Sequence, residues 1–317
     1  MRRALRNVPY LRESCQGAAH LVVLAGGAGV RLRDVTRRLA ESPVPKQFCR
    51  FGGSRSLLQR TIERTMSWIP PARVHVVVTG AQHTIAARQL RAYPGAQLLA
   101  QPHGRGTAPA ALLGALAVAE RDASALMVLA PCDHVFVDRS EFDSALDRAC
   151  QAARSLDSVV IVGAEPDAPC SDYGWILTEA RASEIPRVLA LVEKPPLKRA
   201  QRLFEIGALW STLIVVAPVR AFLNMYRETC TELLERFSAS FAAAHREAAL
   251  EEAYLQSRAV DLSADVLALA SNLRACPLSR RAEWIDLGDE RRLLAWLSRQ
   301  RVFAPPPPVA TRRGAST

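Results

Sequence analysis

The stretch Leu21–Phe48, LVVLAGGAGVRLRDVTRRLAESPVPKQF, decides the fold. Leu21 to Leu24 are apolar without interruption, as a strand buried on both faces requires. Gly26, Gly27 and Gly29 then let the backbone leave that strand sharply while keeping its N–H groups bare, which makes a cradle for phosphate. Arg31 and Lys46 bring positive charge to the same edge, as polyphosphate chemistry requires. Two other glycine loops fail on residues. Counting from Gly27, the sixth position of a dinucleotide-binding G-x-G-x-x-G is Leu32, and the Gly-Lys-Ser/Thr of a P-loop occurs nowhere in the chain.

Outward from that loop the chain alternates between two periodicities. Strand candidates are Leu21–Leu24, Val74–Thr79, Gln97–Ala100, Leu126–Leu129, Val159–Val162, Val188–Val192 and Leu213–Val216. Helix candidates are Ser56–Ser67, Ala108–Arg121, Glu141–Arg154, Pro196–Phe204 and Val219–Arg227. Such alternation predicts an α/β fold, a Rossmann-like doubly wound and mostly parallel sheet covered on both faces. Ligands then bind at the carboxyl ends of the strands, where the glycine loop and Asp133 both fall. Residues 228–257 read as helical and charged, and a short strand-like segment at Leu273–Leu287 carries Asp286. The expected divisions are a basic arm at 1–18, a catalytic core at 19–227, a small helical C-terminal part of the same unit at 228–303, and a proline-rich basic tail at 304–317 without a core.

Composition excludes several classes. A chain of 317 residues, 49% of them apolar, buries a large core. It has no uninterrupted apolar run of membrane-spanning length and no secretory leader, so a cytoplasmic location without a membrane partner is expected. Seven cysteines without a C-x-x-C pair fit neither a disulfide framework nor a zinc ribbon, and reduced thiols are expected. Much of the +10 net charge sits in the tails, in Arg2, Arg3, Arg6 and Arg12 at one end and Arg301, Arg312 and Arg313 at the other. With aromatics at 6%, this is no basis for a specific nucleic-acid surface.

GGAGVRL followed by PVPKQF resembles the signature of the sugar-1-phosphate nucleotidylyltransferases. SLLQRT at Ser56–Thr61 and GRGTAPA at Gly104–Ala110 resemble the mannose-1-phosphate guanylyltransferase branch. APCDHVF at Ala130–Phe136, DYGWI at Asp172–Ile176, LVEKP at Leu191–Pro195 and WIDLGD at Trp284–Asp289 follow in the family's order, so the likeness covers about residues 19–300. Nothing after Leu297 reads as a β-helix or an isomerase domain, and a stand-alone catalytic module is expected.

The resemblance implies that the phosphate of a sugar-1-phosphate attacks the α-phosphorus of a nucleoside triphosphate, with Mg²⁺ held by Asp133 and Asp286. It assigns catalysis to Arg31, Lys46, Asp133 and Lys194. Nucleotide contacts fall to Ala25, Gly26, Gly27, Gly29, Gln101, Arg105, Gly106 and Thr107, and sugar-phosphate contacts to Gly174, Glu193, Lys194 and Ser211. The product is a nucleotide sugar such as GDP-mannose, destined for polysaccharide synthesis. The partners are those two small molecules, and a homodimer is left open. Read by themselves, Asp133 and Asp286 are also ordinary helix caps, Glu193–Lys194 an ion pair at a strand end, and Thr107 a cap.

Two departures bear on specificity. Where the guanylyltransferase branch has an acid and GRN, this chain has Gln101 and Gly106, which resemble the base-reading pair of the hexose-1-phosphate thymidylyltransferases. Where the family has WNSG, Ser211, Thr212 and Leu213 follow Trp210. Thymidylyl or other nucleotidylyl transfer, and a non-catalytic nucleotide-sugar-binding protein, therefore stand beside guanylyl transfer as alternatives.

Overall fold

The computed structural model describes residues 19–39, 44–51, 53–179 and 183–303. The expected N-terminal arm and C-terminal tail lie outside these residues. The strands are β1 (Ala19–Leu24), β2 (Val74–Thr79), β3 (Gln97–Gln101), β4 (Leu126–Pro131), β5 (His134–Phe136), β6 (Val159–Ala164), β7 (Trp175–Thr178), β8 (Val188–Val192), β9 (Leu209–Pro218), β10 (Leu273–Leu278) and β11 (Trp284–Asp286). The helices are α1 (Arg33–Leu39), α2 (Leu57–Thr65), α3 (His83–Leu90), α4 (Thr107–Arg121), α5 (Arg139–Ser155), α6 (Leu197–Glu205), α7 (Val219–Thr229), α8 (Thr231–Ala242), α9 (Arg246–Gln256) and α10 (Glu290–Phe303). None of them is long and apolar enough to cross a membrane.

A nine-stranded sheet runs β10-β6-β9-β4-β1-β2-β3, with β7 and β8 off that path. β1 pairs in parallel with both β2 and β4, β2 with β3, and β10 with β6, while β9 alone on the path runs against its neighbours. The sheet is thus mixed but mostly parallel, as the alternating pattern predicts. Its central strands read as apolar runs because both faces are covered: Leu21, Val22 and Val23 are all fully buried. Helix α4 is apolar all round, from Ala108 to Val118, and is correspondingly buried between the sheet and α7, α8 and α9. The C-terminal part supplies helices and also β10, the edge strand of the main sheet.

Cys49, Cys132, Cys170, Cys230 and Cys276 are free thiols. Cys150, buried in α5, is disulfide-bonded, which corrects the all-thiol expectation. With the other five described cysteines free, the described residues hold no framework of several bridges.

Candidate active site

The carboxyl ends of β1, β3 and β4 open into a cleft of about 610 Å³. The glycine loop forms its floor, held from below by side-chain amides. Gln47 Nε2 donates to the carbonyls of Ala25 at 2.7 Å and Gly27 at 2.8 Å, and Gln82 Nε2 donates to Gly27 at 3.0 Å. Both glutamines are buried. Arg31 stands on the short helical turn that follows the loop and lines the cleft.

Asp133 leaves the end of β4, and a small ribbon brings Asp286 to it from far along the chain. β5 pairs antiparallel with β11, setting His134 opposite Asp286, and the Leu287 amide donates to the Asp133 carbonyl at 3.0 Å. The ligand atoms of Asp133, His134 and Asp286 all lie within 4.8 Å of one another. Lys46 Nζ lies 2.6 Å from Asp133 Oδ2 and donates to the Leu287 carbonyl at 3.1 Å. Burial pushes the Asp133 carboxyl up, but the Lys46 ammonium, His134 and hydrogen bonding together outweigh it and hold the group below its ordinary range. Burial holds His134 below the usual imidazole value, and its Nδ1 has no hydrogen-bond partner among the described residues. Two hard carboxylates and an orphaned imidazole nitrogen form a donor set that fits a divalent cation.

On the opposite wall the reversal of β9 matters. Because it runs against its neighbours, its N-terminal end reaches the cleft, which carries Ser211 there. The Ser211 amide donates to the Gly174 carbonyl at 2.8 Å, and Gly174, Glu193 and Lys194 line the same wall. Glu193 and Lys194 pair at 3.1 Å. Register shifts in β9 beside Val162, where Thr212 Oγ1 donates to the Val162 carbonyl at 2.7 Å. Leu213 then takes a φ of 55°, the left-handed region that a leucine enters at a cost of about 1–2 kcal/mol.

The nucleotide-side residues divide. Gln101 lies at the cleft, only 3% exposed, and its Oε1 accepts from the Tyr254 hydroxyl at 3.3 Å. Gly106 also lines the cleft with a φ of 91°, and an added Cβ would run into the Val260 carbonyl. Thr107 lines the cleft, but its hydroxyl donates to Asp261 at 3.1 Å and accepts from the Leu262 amide at 2.8 Å. Arg105 is not in the cleft lining: its Nε donates to the Tyr254 carbonyl of α9 at 3.1 Å and its Nη2 to the Leu255 carbonyl at 3.5 Å. Ala25 is likewise not in the lining but fully buried, its amide donating to Val77 at 2.8 Å. Each of these two residues ties a loop to its neighbours.

Gly26, Gly27, Gly29, Arg31, Lys46, Gln101, Gly106, Thr107, Asp133, Gly174, Glu193, Lys194, Ser211 and Asp286 are therefore brought to one cleft. Sequence reasoning missed the bracing amides of Gln47 and Gln82 and the largely covered Arg292, and it passed over His134 in giving the metal to carboxylates alone. Gln47 stands inside the quoted motif, so its burial was the missing clue. Arg292 carries no local signal beyond its spacing from Asp289.

The chain matches the family described as nucleotidyl transferase over residues 20–299. It is 30% identical over 281 residues to the alginate biosynthesis protein AlgA of Pseudomonas aeruginosa, covering 84% of this chain and 56% of that protein. It is 28% identical over 277 residues to a mannose-1-phosphate guanylyltransferase of Klebsiella pneumoniae, covering 84% of this chain and 57% of that one. The chain thus spans somewhat more than half the length of these relatives. Its fold matches the crystal structure of a protein described as mannose-1-phosphate geranyltransferase from Thermus thermophilus, with a TM-score of 0.76 and 28% identity, covering 88% of this chain and 80% of that one. The motifs, the cleft that gathers them and these likenesses agree: the chain belongs to the nucleotidyl transferase family.

Proposed function

We propose that the protein transfers a nucleoside monophosphate from GTP to mannose-1-phosphate, giving GDP-mannose and pyrophosphate. The observation that carries this reading is the β5–β11 ribbon, which sets Asp133 and Asp286 between the glycine loop and the wall of Glu193 and Ser211. A phosphate oxygen of the sugar-1-phosphate attacks the α-phosphorus, a new P–O bond forms in line, and the bond to the β-phosphate oxygen breaks to release pyrophosphate. No protein nucleophile is needed, so the residues act by alignment, worth about 7–11 kcal/mol when two reactants are held in line.

In this reading the glycine-loop amides and Arg31 take the triphosphate, and Lys46 meets charge at the reacting phosphate. Lys194 takes the sugar phosphate, while Gly174, Glu193 and Ser211 take the sugar. Asp133 and Asp286 would hold Mg²⁺, which supplies charge neutralisation at the phosphate oxygens. The reaction draws on nucleoside triphosphates, so its setting here is the cytoplasm, with polysaccharide assembly as consumer of the product.

A second base is favoured by one observation. With Gln101 Oε1 engaged by Tyr254, the amide Nε2 remains as a donor, which suits a carbonyl of guanine or of thymine alike. The test is a panel of nucleoside triphosphates against sugar-1-phosphates with Mg²⁺, read by pyrophosphate release. GTP with mannose-1-phosphate is expected to be the best pair. Release with dTTP and glucose-1-phosphate alone would move the assignment to thymidylyl transfer, and no release from any pair would favour a non-catalytic binding protein.

A further inference from the structure

Arg292 of α10 does not line the 610 Å³ cleft; it opens on a second one, of about 530 Å³, and Tyr173 and Trp284 line both. Its side chain is only 12% exposed, yet it meets three carboxylates from three places in the chain. Nε lies 2.8 Å from Asp289, Nη1 3.5 Å from Asp172 and Nη2 3.6 Å from Asp286. The guanidinium also stands over the Tyr173 ring, 4.8 Å from its centre. The backbone at 288 passes so close that an added Cβ would lie 2.9 Å from both Asp286 carboxylate oxygens and 3.0 Å from Arg292 Nη2, so a side chain there would push one of these groups aside.

The base of this side chain is fixed. Asp289 caps α10 by accepting the Arg292 amide at 2.9 Å, and Leu293 and Trp296 are buried in the cluster that holds Leu32 and Val135. The guanidinium meets the three carboxylates as ion pairs, its Nε finding no hydrogen-bond partner among the described residues, and its spread charge reaches all three at once, whereas a lysine ammonium is a point charge on a flexible stem. Without a cation there, Asp172, Asp286 and Asp289 would repel one another at a partly buried position, and Asp286 would swing away. Among the described residues Asp133, Asp172, Asp286 and Asp289 form ion pairs with Lys46 and Arg292 alone, and the deficit of positive charge is what a divalent cation supplies.

We propose that Arg292 is a positioning residue: from outside the substrate cleft it holds Asp286 beside Asp133, and through Asp172 and Tyr173 it holds the sugar-facing 172–174 turn in the same frame. One side chain on α10 thereby sets the metal carboxylate and the sugar wall together. This rests on the metal-dependent reading above.

The test uses the full chain and Mn²⁺ alone as probe, with free Mn²⁺ read by electron paramagnetic resonance, beside steady-state kinetics. Arg292→Gln is expected to weaken Mn²⁺ binding about 10–100-fold, as loss of a group that orients a ligand does. It should also lower kcat and raise KM for the sugar-1-phosphate, with KM for the nucleotide little changed. Should Arg292→Gln fail to fold, Arg292→Lys, which keeps the charge, carries the same test and is expected to recover only part of the Mn²⁺ affinity. Mn²⁺ affinity equal to or tighter than wild type in the folded variant overturns the proposal. A wild type that is inactive and binds no Mn²⁺ overturns the parent reading instead, so the two failures are distinguishable.

Discussion

Lys46 and Asp133 form the closest ion pair in the cleft, 2.6 Å apart, with side chains 14% and 21% exposed. Each substitution at this pair removes something different. Asp133→Asn keeps shape but loses a charged ligand, and Asp286→Asn does the same from the other strand. Each is expected to cut turnover by orders of magnitude with the fold retained, as read by an unchanged circular dichroism spectrum. Near-native activity at limiting Mg²⁺ in either variant would reduce that aspartate to a cap. Lys46→Ala instead leaves the Asp133 carboxylate without its cation, and a loss of about 1–3 kcal/mol in denaturant unfolding is expected beside the lost activity.

Gly106 stands where the guanylyltransferase branch has asparagine, and its φ of 91° and contact with Val260 leave no room for a side chain. Gly106→Asn is therefore expected to displace the segment after α9 and to raise KM for the nucleotide well above its effect on the sugar-1-phosphate. If the variant binds GTP better than wild type, the loop is more pliant than this geometry allows.

At the sugar wall, a serine in place of asparagine offers a shorter group with no amide, and the pocket around Ser211 is expected to discriminate poorly between mannose-1-phosphate and glucose-1-phosphate. The triple variant Ser211→Asn, Thr212→Ser, Leu213→Gly also places glycine at the left-handed position. Its ratio of specificity constants for the two sugars is expected to rise, by about tenfold for each 1.4 kcal/mol recovered. An unchanged ratio in a folded variant would mean that this bulge only packs.

A buried imidazole pair makes stability depend on pH. His20 Nδ1 lies 3.0 Å from His75 Nε2 between β1 and β2, and burial, aided by the neighbouring His20, holds His75 down to about 4. The unfolded chain takes up its proton near 6.5, so the native state is favoured fully above that pH and loses this stability as pH falls from 6.5 toward 4. The whole interval amounts to about 3 kcal/mol. Urea midpoints measured from about pH 7.5 to 5 are expected to fall, and His75→Leu to flatten the slope; identical slopes in both proteins would locate the acid sensitivity elsewhere.

The strand-and-helix alternation was legible because buried parallel strands are plain apolar runs and α4 and α5 carry long helical periods. The short α1, β5 and β7 were not, since a seven-residue helix or a three- or four-residue strand has too few positions to establish a period. The direction of β9 was not legible either, because Leu213–Val216 reads the same in both senses, and that direction is what delivers Ser211 to the cleft. Motif order identified the cleft's polar lining well. It gave no sign that Ala25 and Arg105 lie outside the lining and tie to the backbone of Val77 and Tyr254, contacts that no sequence pattern advertises. It was silent on Arg292, whose carboxylate partners at 172 and 286 are neighbours only after folding.

Gln47 gives the glycine loop its sign. A flexible peptide loop displays as many acceptors as donors and has no preference between cations and anions. Here the carbonyls of Ala25 and Gly27 are absorbed by buried amides, so what the loop turns toward the cleft is weighted to N–H groups before any ligand arrives. Selectivity for an anion is obtained by subtraction, and because the loop is already ordered, a triphosphate entering it has little of the chain left to freeze.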